Sequence, residues 1–142
     1  MRSFLVDVNV WVALSYDRHI HYAAAHRWFE DVGPGEAAFC RLTQLGYLRL
    51  LTNPRVMGEE VRTPRQAWGI YDLLCEDLRV AFVSEPPEVE ATFRDITRGF
   101  PVGAAVWTDA YVAAVARVRK MRIVSFDRGF GALAGPDALI LR

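Results

Sequence analysis

FLVDVNVWVAL, residues 4–14, opens on three apolar side chains and then meets an aspartate. A short apolar run without alternation fits a strand buried on both faces, as strands of parallel sheets are. Asp7 closes that strand, and Asn9 is placed to cap a short helix through Leu14. Beyond the polar break at 17–19, Ala25, Trp28, Phe29 and Val32 recur at helical spacing until Gly33-Pro34-Gly35 stops the helix, and residues 37–40 read as a second strand. Thr43 is a candidate cap for a third helix in which positions 44, 48 and 51 share one face, with Asn53-Pro54 ending it. Thr63-Pro64 starts a fourth, carrying Ala67, Ile70, Tyr71 and Leu74. A strand over 80–83 precedes a fifth helix marked by Val89, Phe93 and Ile96. Thr108 is placed to cap a sixth helix over 109–118, ahead of strands at 122–126 and 138–141. Strands that alternate with helices need crossover connections, so the predicted fold is α/β: a mostly parallel sheet of four to five strands sandwiched by helices. No repeat or long linker divides the chain, and residues 1–142 read as one domain.

Composition narrows the function. With 52% hydrophobic and 24% charged residues the chain is ordinary globular. Two cysteines, Cys40 and Cys75, are too few for a disulfide scaffold or a four-cysteine zinc site and read as reduced, mostly buried thiols. No apolar run reaches the roughly 18 residues of a membrane span. Asp7 and Asn9 break the stretch where a signal peptide would be unbroken, so the expected location is the cytoplasm. Seventeen basic residues balance seventeen acidic ones, which argues against a simple sequence-reading DNA binder.

The chemistry lies in three aspartates. Ligand sites of open parallel sheets lie beyond the carboxyl ends of the strands. Asp7 and Asp127 each end a strand there, and Asp109 opens the helix that leads into the second of those strands. Singly, Asp109 reads as a complement to a helix dipole and Asp127 as a turn residue, whereas Asp7, following a fully apolar strand, is harder to explain in either way. Together, three unpaired carboxylates would repel one another unless a cation held them. A hard ion such as Mg²⁺ suits oxygen ligands and phosphate substrates, which points to metal-assisted phosphodiester cleavage. No GxxxxGK[ST], GxGxxG or HExxH motif offers another chemistry. His19, His21 and His26 read as surface or packing residues, and Arg117, Arg119, Lys120 and Arg122 either complement a helix end or touch phosphate.

Four ordered segments, FLVDVNVWVAL (4–14), LTQLGYLRLLTNP (42–54), WTDAYVAAVA (107–116) and SFDRGF (125–130), resemble PIN-domain ribonucleases, above all the VapC toxins of type II toxin–antitoxin pairs. The resemblance implies Mg²⁺- or Mn²⁺-dependent endonucleolytic cleavage of RNA, a homodimer, and neutralisation by a VapB-type antitoxin. It makes Asp7, Asp109 and Asp127 the metal-binding acids, with Asn9, Thr108 and Ser125 as supporting polar groups. Gln44 matches a position where the family commonly has Glu, and its helical face is expected to point toward the site. An excess of aromatics over what one small core needs suggests an antitoxin groove at Trp11, Trp28, Phe29 and Trp68. Two rival readings are a catalytically weak RNA- or partner-binding module, favoured by Gln44, and a haloacid-dehalogenase-like phosphatase with Asp7 as nucleophile.

Overall fold

The computed structural model describes residues 2–142. Its centre is β1 (Phe4–Val6), whose three side chains are all buried. β2 (Ala37–Phe39) and β4 (Arg122–Ser125) flank it, and β3 (Val80–Phe82) and β5 (Ala138–Ile140) form the edges, giving the order β3-β2-β1-β4-β5 with every pairing parallel. The strand period of two sorts the side chains into two layers. Phe4, Val6, Phe39 and Val124 enter one core, which is closed by α1 (Val8–Ser15), α2 (Tyr22–Glu30), α3 (Arg41–Leu51) and α5 (Pro64–Glu76). Leu5, Ala38 and Ile123 enter the other, under α6 (Val89–Thr97), α7 (Trp107–Arg119) and α8 (Gly129–Ala134). The chain therefore winds outward in one direction from β1 through β2 to β3, then crosses the sheet to β4. Strand order reverses between β1 and β4, and the crevice of a doubly wound sheet opens there.

Three expected caps are held differently. Asp7, not Asn9, caps α1, its carboxylate accepting from the Val8 N–H at 2.8 Å. α3 begins two residues before Thr43, whose hydroxyl turns back to accept from the Cys40 N–H at 2.9 Å. α7 begins at Trp107, so Thr108 lies inside its first turn and caps nothing. Asn53-Pro54, read as a stop, is also a start: Asn53 accepts from the Arg55 N–H and opens the one-turn α4 (Pro54–Met57). α4 and α8 are both absent from the sequence expectation, being too short to show a period. Cys40 is buried as expected, whereas Cys75 is exposed on α5.

Candidate functional site

β1 and β4 run side by side with Val6 opposite Val124, which puts Asp7 and Ser125 next to each other at the carboxyl edge. The Asp7 N–H donates to the Val124 carbonyl at 2.9 Å, fixing the backbone there. One carboxylate oxygen of Asp7 accepts from the Val8 N–H and the other from the Ser125 hydroxyl at 2.6 Å. Ser125 has no choice of partner. Its oxygen already accepts from the Asn9 amide at 3.3 Å and from the Asp127 N–H at 2.9 Å, so its one proton goes to Asp7. Asn9 completes the clamp by accepting from the Phe126 N–H at 3.3 Å. Ser125 thus touches Asp7 directly and Asn9 reaches it through Ser125, by contacts across the sheet edge and not through a helix cap.

Asp109, in the first turn of α7, faces the same crevice and has no hydrogen-bond or ion-pair partner among the described residues. Burial raises its pKa above the ordinary carboxylate range, and the charges of Asp7 and Asp127 raise it further. Asp7 is also raised, chiefly by burial and to a smaller degree by Asp127, against the lowering effect of the Ser125 and Val8 hydrogen bonds. The three expected acids therefore feel one another. They do not form a closed cage: among the described residues, no three His, Cys, Asp or Glu side chains stand close enough to share one ion. Asp127 is exposed and accepts from the Gly129 N–H at 2.8 Å, a turn contact that draws it to the margin.

The cleft around Asp7 and Asp109 encloses about 230 Å³, with Thr108 and Arg49 also on its wall. α3 meets it through Leu42, Gly46 and Arg49. A Cβ on Gly46 would stand 2.9 Å from a Val8 methyl, so glycine is what lets α3 close onto α1 at this point. This geometry corrects the expectation for Gln44. Two positions along a helix are turned about 200° apart, so when Gly46 faces the cleft Gln44 faces nearly the opposite way. Gln44 is buried, accepts a hydrogen bond from Arg41 and lies against the Tyr71 hydroxyl, on the side toward α5.

The aromatic groove does not form as expected. Trp11 is fully buried and stacks on Phe39, ring centroids 4.1 Å apart and planes within 7°. Phe29 is also core. Trp28 is half-buried with its ring T-shaped to Phe4, near the amino end of β1, while Trp68 stands 48% exposed on α5. Of the histidines, His21 packs on Phe126 and none lines the acidic cleft. Lys120, the lysine a phosphatase of the rival type would want near Asp7, lines a different cavity, with Phe4.

The raised pKa of Asp109 has a stability consequence. A carboxyl whose folded pKa lies above its unfolded value favours the fold below the unfolded value, 3.8, and that contribution is lost as pH rises through the folded pKa. Asp109→Asn should therefore raise the melting temperature of the metal-free protein at pH 7. The gain should vanish below pH 3.8. A thermal melt series with EDTA checks it, and equal melting temperatures at pH 7 would show that the carboxylates do not strain the fold.

The PIN domain family matches residues 4–136. Ribonuclease VapC41 of Mycobacterium tuberculosis is 35% identical over 142 residues, covering 96% of this chain and 97% of its own. Among solved structures, VapC20 of Mycobacterium tuberculosis, a sarcin–ricin loop cleaving toxin, aligns with a TM-score of 0.67 at 19% identity over 92% of this chain and 94% of that one. DNA-bound VapBC from Salmonella typhimurium aligns with a TM-score of 0.67 at 15% identity over 99% and 98%. These structural likenesses speak to the fold, five parallel strands between helices, and VapC41 carries the relationship in sequence.

Proposed function

Because the chain belongs to the PIN-domain family, among its VapC ribonucleases, we propose that it is the toxin of a type II pair, a cytoplasmic endoribonuclease held inactive by a VapB-like antitoxin. The observation that carries the reading is the meeting of Asp7 and Asp109 beyond the ends of β1 and β4, two repelling carboxylates with no basic side chain paired to either among the described residues.

The donor set fits a hard divalent ion. All candidate ligands are carboxylate oxygens, and Mg²⁺ is commonly held through one or two carboxylates together with waters and substrate phosphate. Asp7 and Asp109 are the residues that would hold it, with Asp127 adding negative charge from the margin. Mg²⁺ or Mn²⁺ bound there supplies Lewis-acid stabilisation of the phosphoryl group and a more acidic water.

The chain's own residues do the rest. Ser125 and Asn9 keep the Asp7 carboxylate in one orientation, so little reorganisation accompanies binding. Arg49 offers the only cation on the cleft wall and has no ion-pair partner among the described residues, which leaves its planar fork for an RNA phosphate. Without it, an acidic cleft would repel a polyanion. From the cleft an apolar strip continues over Leu45, 59% exposed, to Trp68. Of the four aromatics first considered for the antitoxin, Trp68 has the exposure and the position that suit such a partner.

Cleavage of RNA by the purified chain with Mg²⁺ or Mn²⁺, its loss in EDTA and its return on adding back the ion are the expected results. Cleavage that resists EDTA would refute the metal assignment. A folded wild-type chain that cuts no RNA under any of these conditions would refute the nuclease.

A further inference from the structure

A cavity larger than the acidic cleft lies at the other end of the sheet. It encloses about 340 Å³ at the amino edge of β1 and β4, and its wall includes Ser3, Phe4, Trp28, Lys120, Arg122 and Leu139. Four basic residues cluster where α7 gives way to β4, and the structure divides them. Arg119 donates to the Ser84 carbonyl and Arg117 lies elsewhere, whereas Lys120 and Arg122 both reach this cavity. Lys120 is the chain's only lysine and the one non-glycine residue with positive φ among those described, at 57°, a left-handed helix end that swings it out of line with α7. Neither Lys120 nor Arg122 has an ion-pair partner among the described residues. Opposing charge is limited. Arg2 lies 3.4 Å from Glu36 and donates to the Asp31 backbone carbonyl, and Asp31 is the one acidic residue on the wall among those described.

We infer that this cavity is a second contact for the RNA strand, with Lys120 and Arg122 on two neighbouring phosphates and a base against Trp28. The inference rests on the ribonuclease reading for its choice of strand. Two unpaired cations beside an aromatic wall are what sequence-tolerant binding of single-stranded nucleic acid uses. β1 is buried along its length, so a strand of RNA that touches both edges passes around the helices covering the sheet, a path of several nucleotides. The neutral overall charge is then no obstacle, because the binding cations are local: Arg49 at the cleft and this pair opposite it.

The test is titration of an unstructured oligouridine strand into the Asp7→Asn protein, so that the RNA survives, across a range of KCl concentrations. Lys120→Asn with Arg122→Gln removes both charges, and asparagine tolerates the left-handed backbone. Two lost phosphate contacts should lower the slope of log affinity against log salt by about 1.4 and weaken binding by roughly tenfold or more at moderate salt. Trp28→Ala should weaken binding by about fivefold or more. Trp28→Phe keeps a ring against Phe4 and should retain most of the affinity, separating stacking from a folding defect. Unchanged affinity and salt slope in the double variant, with native circular dichroism, overturn the proposal. Adenosine monophosphate is titrated in parallel; if its binding needs Lys120 and Arg122 while oligouridine binding does not, the cavity takes a free nucleotide and the RNA assignment is wrong. Cleavage by the wild-type chain is scored separately. A chain that binds RNA through this pair but cuts none would overturn the nuclease reading alone.

Discussion

Asp7→Asn should leave a folded protein that no longer cuts RNA. Both oxygens of Asp7 accept hydrogen bonds, from Val8 and from Ser125, and the Ser125 oxygen is already taken up by two donors. An amide has one acceptor oxygen where the carboxylate has two. One of the two bonds is therefore lost, at about 1 kcal/mol, which a domain of this size can absorb. The effect on catalysis is of another order. Replacing groups that merely orient a metal ligand costs about 10- to 100-fold in affinity or activity, and loss of the ligand itself should exceed the upper figure. Asp109→Asn should do the same to activity with no hydrogen bond to lose. Circular dichroism together with a cleavage assay decides the matter, and EDTA-sensitive cleavage at the wild-type rate in either variant would remove the acids from the mechanism.

The order of elements was legible because each central strand announces itself. Phe4-Leu5-Val6, Ala37-Ala38-Phe39 and Ile123-Val124 are short apolar runs of the kind that a strand buried on both faces requires, and helical spacing between them implies crossovers. That the three aspartates lie at one edge of the sheet followed from topology alone, since each sits at a carboxyl edge by its place in the chain. What topology does not contain is register. That Asp7 falls beside Ser125, and that Ser125 consequently directs its proton to Asp7, depends on Val6 pairing with Val124. Asn9 was misassigned for a related reason: residue type suggested a cap, but Asp7 already occupied that role and the amide was free to bridge to β4.

Gln44 shows a different limit. Its helical face was correctly read as buried, yet a helix packed between a cleft and another helix has two inward sides. Periodicity separates inside from outside and cannot choose between Tyr71 and Asp7. Among the α3 positions that do approach the cleft, Gly46 has no side chain to advertise itself; its signal is the close contact with Val8. The rival reading of a catalytically weak module took Gln44 as a neutral amide among the acids, and that amide is turned toward α5.

Trp11→Ala should cost about 3–5 kcal/mol of stability, a large share of the roughly 5–15 kcal/mol that holds a domain together. Trp11 is sealed beneath the sheet with its face on Phe39, and removing it empties the centre of one core. Counting aromatics could not show this, because tryptophan is seldom fully buried and four of them in a small chain suggest a surface. Its indole N–H lacks a hydrogen-bond partner among the described residues, so Trp11→Phe removes an unsatisfied donor along with some volume and should be much milder than alanine. Trp68→Ala, at a 48% exposed position, should change stability by less than about 1 kcal/mol. The two tryptophans should then behave oppositely toward the antitoxin. Trp68→Ala should keep its melting temperature and lose antitoxin affinity, by about 2 kcal/mol if the ring anchors the partner. Trp11→Ala should melt on the order of 10 °C lower or more and, where still folded, bind the antitoxin normally. Denaturant unfolding and calorimetric titration with the antitoxin measure the two effects independently. A stable Trp11→Ala protein with weakened antitoxin binding would place Trp11 at the interface after all.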